Sequence, residues 1–211
     1  ESMVSALALI RDNDIKKIDN SCNVFENLDK KNVLMNLDII KSSNLKLYKA
    51  FCYQKSKNKE SSRLEFFHIK QFPDGIYFSE DNGNYHCYII ELKYIGSNDL
   101  DKLTKQLFSG YIHCKTLLSV LEIDLNKVSY SFHVVYVKEN RKQDEFNEKT
   151  NSIKFIPGKS INSSPTYNNW LKNKLVYTTK QYKKNMDIKK ICLSNTELDG
   201  ETTKYSNSLI I

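Results

Sequence analysis

Residues 72–93, FPDGIYFSEDNGNYHCYIIELK, decide the fold, because they predict two strands joined by a tight turn. Asn-Gly at 82–83 is a strong signal for a two-residue type I′ hairpin turn. With that turn, Asp74 faces Glu91 across the antiparallel pair, where opposite Cβ atoms lie about 4.5–5.5 Å apart. Lys93 shares the face of Glu91, because alternate residues of a strand point the same way. The sequence therefore predicts two carboxylates and an ammonium at one end of a hairpin.

A divalent metal site is one interpretation of this group. Mg²⁺ prefers a few carboxylates plus water, and a neighbouring lysine can stabilise charge on a phosphate transition state. The main-chain carbonyl of Leu92 is a further candidate ligand. Each residue also has a simpler interpretation: Pro-Asp-Gly is ordinary turn sequence for Asp74, and Glu91 with Lys93 is compatible with a salt-bridged edge strand. Asp81 is a rival ligand, but the turn places it at the far end of the hairpin.

The composition indicates one folded domain over residues 1–211. The chain has 32 Lys plus Arg against 25 Asp plus Glu, a net charge of +7, and 40% hydrophobic residues. This balance permits binding to nucleic acid without requiring it. Five scattered cysteines without a CxxC pair favour a reducing, intracellular environment over a disulfide framework. No apolar run approaches the ~18 residues of a membrane span, so a soluble cytoplasmic protein without a membrane partner is expected.

Helical spacing of apolar residues predicts helices over 4–18 and 23–52, the second broken near Ser42-Ser43. A first strand is expected at 63–70, and the hairpin strands at about 75–80 and 85–95. Residues 99–122, capped by Asn98 or Asp99, form the clearest predicted helix. A buried strand at 129–138 follows. Further along we expect loops at 140–149 and 160–165, a short strand at 153–156, a helix at 167–184, a strand at 188–193 and a weakly structured tail.

The Pro73-Asp74 pair followed by Glu91-Leu92-Lys93 resembles the PD-(D/E)xK signature of the restriction endonuclease-like nuclease superfamily. The predicted order of elements over about residues 25–138 is similar to the αβββαβ core of that superfamily. The resemblance implies an α/β fold with a mixed central sheet flanked by helices, and residues 150–211 would be a C-terminal extension. It implies Asp74 and Glu91 as ligands of Mg²⁺ or Mn²⁺ and Lys93 as the catalytic lysine.

Two further residues follow from the same resemblance. Some families of the group carry QxxxY on the helix after the motif; here Gln106 and Tyr111 are one residue too far apart, so Gln106 alone is a candidate catalytic residue. Many members place a glutamate on the first core helix, and Glu26 is the nearest candidate metal ligand. Related enzymes often dimerise, which makes a homodimer a candidate assembly.

Lysines supply the candidate contacts to nucleic acid. On the helix at 99–122, a polar stripe holds Lys102, Lys105, Gln106, Ser109 and His113, and a solvated face is the alternative interpretation. The densest basic cluster, interleaved with Trp170, Tyr177 and Tyr182, suits a phosphate backbone with stacked bases. Its lysines are Lys172, Lys174, Lys180, Lys183 and Lys184. An ordinary solvated helix explains that cluster equally well.

The function that the sequence favours is a metal-dependent endonuclease that hydrolyses phosphodiester bonds of DNA. An RNA-directed endonuclease on the same core is a second hypothesis. A catalytically silent nucleic-acid-binding or assembly module is a third, and the intact Asp74, Glu91 and Lys93 argue against it.

Overall fold

The computed structural model describes residue 10 and residues 14–52, 69, 71–139, 165–199 and 202–211. These residues form two helices, α1 (Leu100–Val120) and α2 (Pro165–Leu171), and short 3-10 turns at Asp29–Lys31 and Leu125–Lys127. The strands are β1 (Ile15–Ile18), β2 (Ser21–Leu28), β3 (Val33–Ile40), β4 (Lys46–Ala50), β5 (Gly75–Asp81), β6 (Asn84–Ile95), β7 (Val128–Lys138), β8 (Lys174–Thr178), β9 (Lys183–Cys192), β10 (Ser194–Asp199) and β11 (Thr202–Ile210).

The strands form two sheets, and the expected α/β class with a mixed sheet is confirmed. The larger sheet has the order β1-β4-β5-β6-β7-β9-β8. Neighbours from β1 to β6 are antiparallel, whereas β6, β7 and β9 run parallel. The smaller sheet has the order β10-β11-β3-β2, with β11 parallel to β3. The C-terminal residues are therefore integral to both sheets, since β9 extends the larger one and β11 lies inside the smaller one.

The larger sheet is the middle one of three layers. On one face, α1 and α2 bury Leu103, Leu107 and Trp170 against Ile89 and Phe132 of the sheet. On the other face lies the smaller sheet, where the expectation was a flanking helix. Its residues Met35, Leu37 and Ile39 pack with Tyr77 and Ile90 of the larger sheet. Because successive residues of a strand point to opposite faces, Glu91 and Lys93 belong to the helix side of β6.

The central hairpin and the helix after it agree with the sequence predictions. β5 and β6 pair from Asp81↔Asn84 to Gly75↔Ile90, which is the register of a two-residue turn. Asn82 and Gly83 have φ values of 50° and 77°, so both lie in the left-handed region that a type I′ turn requires. The Asp99 side chain accepts a hydrogen bond from the Lys102 backbone N–H at 3.2 Å and caps α1. The predicted strand at 129–138 is present as β7.

The helix predicted at 23–52 is wrong, because this stretch forms β2 to β4, and the helix predicted at 4–18 is wrong at Ile15–Ile18, which forms β1. Residues 4–9 and 11–13 of that prediction lie outside the described residues. Val33, Met35, Leu37 and Ile39 are all buried while the residues between them are not, which is the period of a strand. Leu34, Leu37 and Ile40 also recur every three residues, and that coincidence favoured a helix. The strand predicted at 63–70 lies outside the described residues apart from Ile69, which belongs to no strand, and β4 is the antiparallel neighbour of β5.

The helix predicted at 167–184 is also wrong beyond its first turns. α2 ends at Leu171, and Asn173 takes a left-handed φ of 56°, which a helix cannot continue through. β8 and β9 follow as an antiparallel hairpin, so the strand predicted at 188–193 begins earlier, at Lys183. The tail forms β10 and β11 instead of weak structure. The predicted features at 140–164 lie outside the described residues, and Pro165 begins α2.

Candidate active site

Asp74 and Glu91 meet at the open end of the hairpin, one step beyond the last paired residues of β5 and β6. The Asp74 backbone N–H donates to Glu91 Oε2 at 3.2 Å, and the Leu92 backbone N–H donates to Asp74 Oδ2 at 2.7 Å. The Glu91 carboxylate thus accepts a hydrogen bond from the backbone of Asp74, and the Asp74 carboxylate accepts one from the residue after Glu91. The register set by the Asn-Gly turn therefore brings together the two acids that the sequence placed opposite each other.

Lys93 joins this pair to α1. Its Nζ lies 2.8 Å from Glu91 Oε1 and donates to Gln106 Oε1 at 2.7 Å. Glu91 is 2% exposed and Gln106 is 8% exposed, while the Lys93 side chain keeps 16% of its surface accessible. The ammonium is therefore fixed between a carboxylate and an amide and still reaches solvent. Gln106, a candidate from the partial resemblance to QxxxY, lies in the same group as the three motif residues.

The burial of this group changes its acid–base properties. Desolvation, and then the charge of Asp74, raise the pKa of Glu91 to about 8, although Lys93 acts in the opposite direction. Desolvation also raises the pKa of Asp74, against the Leu92 N–H and the charges of Lys93 and Lys102. Both pKa values are thus raised mainly by desolvation, and the charge of Lys93 offsets only part of this effect.

Glu26 approaches the same group from the smaller sheet. It lies on β2, not on a helix as predicted, and it shares the strand face of Val24, which is buried between the sheets. Its pKa is raised by burial and by the charge of Asp74, and is lowered by Lys93, Lys102 and Lys31. Glu26 is therefore near the site because β2 packs against the larger sheet, not because it lies on a first core helix. Sequence reasoning missed Lys31, and no local motif marks it.

The donor set fits a sparsely ligated, hard divalent cation. Among the described residues, no three His, Cys, Asp or Glu side chains are grouped closely enough to hold a metal ion by themselves. Two carboxylates, on Asp74 and Glu91, and the Leu92 carbonyl are what the hairpin offers. Mg²⁺ is commonly held by one or two carboxylates and keeps several waters, so this set is sufficient for it.

The lysines predicted to contact nucleic acid divide into two groups. Lys102 is exposed and acts electrostatically on Asp74 and Glu26, so it belongs to the site. Lys105, one residue from Gln106, forms a 2.7 Å ion pair with Asp101. The remaining lysines surround the β8–β9 hairpin, on both of its faces: Lys172, Lys174, Lys180, Lys183 and Lys184.

Other predicted features of these elements are altered by burial. Ser109 and His113, expected on an exposed polar stripe of α1, are buried, and His113 Nδ1 lies 2.8 Å from the Ser109 carbonyl. Trp170 is 1% exposed, so it is a core residue and not a stacking surface.

No protein-family model, curated protein sequence or solved structure matches this chain. In the part of the chain that the structure describes, no helix has the length and apolar character needed to cross a membrane.

Proposed function

We propose that this protein is a Mg²⁺- or Mn²⁺-dependent nuclease of the PD-(D/E)xK type that hydrolyses phosphodiester bonds of DNA. The observation that carries the proposal is the contact group at the end of the hairpin. The Asp74 N–H donates to the Glu91 carboxylate, and the Leu92 N–H donates to the Asp74 carboxylate. Lys93 Nζ lies 2.8 Å from Glu91 Oε1 and 2.7 Å from Gln106 Oε1.

The order of elements supports the same proposal. β4, β5 and β6 form an antiparallel meander, α1 crosses over, and β7 returns parallel to β6. This βββαβ arrangement is similar to the part of the restriction endonuclease-like core that carries the motif. The motif residues lie at matching places, with Asp74 just before the second strand of the meander and Glu91 and Lys93 on the third.

The residues of the chain have distinct roles in this proposal. A divalent cation held by the carboxylates of Asp74 and Glu91 would act as a Lewis acid on the phosphate and lower the pKa of a bound water. Lys93 places a positive charge beside the reacting phosphate, where developing negative charge is stabilised. Gln106 holds Lys93 Nζ in position without neutralising it. Lys102 adds positive charge at the exposed side of the group.

Cleavage assays with plasmid and single-stranded DNA in Mg²⁺ or Mn²⁺ test the proposal. Asp74→Ala and Lys93→Ala should each lower the cleavage rate at least about 100-fold, since metal and charge stabilisation supply several kcal/mol. Asp81→Ala is the matched control, because Asp81 lies at the turn end of the same hairpin. It should cleave at the wild-type rate.

Three results would reject parts of the proposal. Cleavage that survives both Asp74→Ala and Lys93→Ala would place the chemistry elsewhere. Faster cleavage of RNA than of DNA under the same conditions would favour the RNA-directed enzyme. Salt-dependent oligonucleotide binding by a wild-type protein that takes up no Mn²⁺ would favour a silent binding module.

A further inference from the structure

Aromatic side chains fill the space between α1 and the β8–β9 hairpin. Phe108 and Tyr177 are stacked, with ring centroids 3.9 Å apart and planes 6° apart. Tyr182 lies 5.7 Å from Phe108 between centroids and is 46% exposed, whereas Phe108 is 4% exposed. Phe108 is thus the buried ring of a small aromatic surface, and Tyr182 is its exposed ring.

Positive charge lies on the same surface. Lys184 Nζ is 4.3 Å from the centroid of the Tyr111 ring. Lys184 is also the cross-strand partner of Tyr177, so the two side chains share the hairpin face that packs on α1. Lys183 pairs with Thr178 and therefore belongs to the opposite face. The two adjacent lysines can be compared as a matched pair.

The tip of the hairpin is ordered by its own hydrogen bonds. The Thr179 backbone N–H donates to the Tyr182 carbonyl at 2.8 Å, and the Tyr182 N–H donates to Thr179 Oγ1 at 3.0 Å. The backbone of Tyr182 is therefore held in place at the tip of the hairpin. A side chain on an ordered backbone loses less conformational freedom on binding than one on a loose loop.

The surface lies beside the candidate active site along α1. Lys105, Phe108 and Tyr111 are three residues apart in succession, which places them on one stripe of the helix. Gln106 lies next to Lys105 and contacts Lys93. At a rise of about 1.5 Å per residue, the distance along the axis from Gln106 to Tyr111 is only about 7–8 Å. A chain of phosphates at the site would continue directly onto this surface.

We infer that the surface formed by Lys105, Phe108, Tyr111, Tyr177, Tyr182 and Lys184 binds an unpaired nucleic-acid strand that leads into the site. The inference rests on the proposed nuclease function and specifies its substrate as single-stranded. An exposed ring, that of Tyr182, on the same surface as lysines suits an unpaired base, because every base can stack and the lysines neutralise phosphates. A duplex has its bases already stacked and offers none to Tyr182. The acid on this stripe, Asp101, is paired with Lys105.

Fluorescence anisotropy in EDTA measures this binding without cleavage. Labelled oligothymidylate and oligouridylate should bind more tightly than a duplex of the same length, and comparing the two strands distinguishes DNA from RNA. Tyr182→Ala should weaken single-strand binding about 10-fold, which lies within the range for loss of one stacked base. Tyr182→Phe, which keeps the ring, should bind like the wild type.

The lysine pair provides the control for charge. Lys184→Ala should reduce the slope of log K against log salt by about 0.7, the value for one phosphate contact to a single strand. Lys183→Ala has the same charge change on the opposite face and should leave that slope unaltered. The inference would be overturned if the two lysine substitutions had equal effects on the slope. It would also be overturned if duplex and single strand bound equally, or if Tyr182→Ala left binding unchanged.

The binding and cleavage results are independent. Metal-dependent cleavage without a single-strand preference would reject the single-strand-binding surface but support the proposed nuclease function. The protein could instead prefer single strands through Tyr182 and Lys184 and never cleave them. That result would support the binding surface and reject the nuclease function.

Discussion

Lys93 lies between two acceptors of different charge, the Glu91 carboxylate and the Gln106 amide. The Glu91 carboxylate attracts the ammonium electrostatically. The Gln106 amide is uncharged, so it orients the ammonium through a hydrogen bond without changing the net charge of the group. Because Gln106 is 8% exposed and fixed on α1, it limits where the ammonium can move. In the proposed mechanism Gln106 is thus a positioning residue, because it fixes the Lys93 ammonium from α1.

Gln106→Ala should lower the proposed cleavage rate about 10–100-fold, the usual loss when a supporting hydrogen bond to a site residue is removed. The loss should appear mainly in kcat, because Lys93 keeps its charge and its ion pair. Steady-state kinetics on a DNA substrate measure this. Lys115→Ala, an exposed substitution on the same helix, is the control. A change confined to KM would contradict the positioning role.

A second polar cluster lies on the face of the larger sheet opposite α1. His86 Nε2 and His133 Nε2 lie 2.8 Å and 2.9 Å from the Ser131 hydroxyl oxygen. His133 is 1% exposed, and burial, with the charges of Lys189 and His86, lowers its pKa to about 4. In the unfolded chain its pKa returns to about 6.5. The unfolded state therefore binds a proton more readily than the folded one.

His133 should therefore make the protein less stable in acid. Above about pH 6.5 both states are neutral at His133, and as the pH falls towards 4 the unfolded state gains the proton first, so stability is lost. Between pH 8 and pH 5 the contribution of His133 to the free energy of unfolding should fall by about 2 kcal/mol. Urea unfolding of wild type and His133→Gln at both pH values measures it. The variant should lose less stability than the wild type, and an equal loss in both would contradict the assignment.

The residue-scale features could be predicted in part. Asp74, Glu91 and Lys93 followed from a hairpin turn that is encoded locally, by Asn82-Gly83. Ser109 and His113 could not be placed, because the buried side of a helix depends on what packs against it. Glu26 reached the site through packing of the smaller sheet, and no local pattern contains that information.

At the scale of elements, α1 packs unusually close to the hairpin. A methyl group added at Gly110 would lie 2.6 Å from Ile89 Cγ2 and 2.8 Å from Pro73 Cγ. Gly110 therefore allows the helix to approach the strand that carries Glu91 and Lys93. That close approach also brings Gln106 within reach of Lys93.

Gly110→Ala tests this packing, because two effects predict opposite signs. Helix propensity alone would stabilise the protein by up to about 1 kcal/mol. Steric overlap with Pro73 and Ile89 should cost about 1–3 kcal/mol, so we expect a net decrease in the free energy of unfolding. Urea denaturation gives the value, with Lys115→Ala as an exposed control. An increase in stability would show that the helix moves away without cost.

The elements predicted wrongly share a physical cause. In β3, apolar residues at both helical and strand spacing made the local pattern ambiguous, and only pairing with β2 and β11 selects the strand. In β8, the run Val176-Tyr177-Thr178 favours a strand, but the lysines around it suggested an exposed helix. α1 was predictable because a 21-residue amphipathic pattern with a cap has no competing period.

At the scale of the whole molecule, the candidate site lies where the three layers meet. The smaller sheet contributes Glu26, the larger sheet contributes Asp74 and Glu91, and the helix layer contributes Gln106. Lys93 touches the helix layer directly and affects Glu26 through its charge. A cation held by Asp74 and Glu91 would bind only the folded state, because unfolding separates the two carboxylates.

Metal binding should therefore stabilise the folded protein. A ligand that binds only the native state at about 100 times its Kd adds about 2.7 kcal/mol, which corresponds to a rise in Tm of about 5–10 °C for a chain of this size. Differential scanning calorimetry with and without Mn²⁺ measures the shift. Asp74→Ala should abolish it, because one of the two ligands is lost, whereas Asp81→Ala should retain it. An equal shift in both variants would mean that Mn²⁺ binds away from Asp74 and Glu91. The place where the three layers meet would then have a role in folding and none in metal binding.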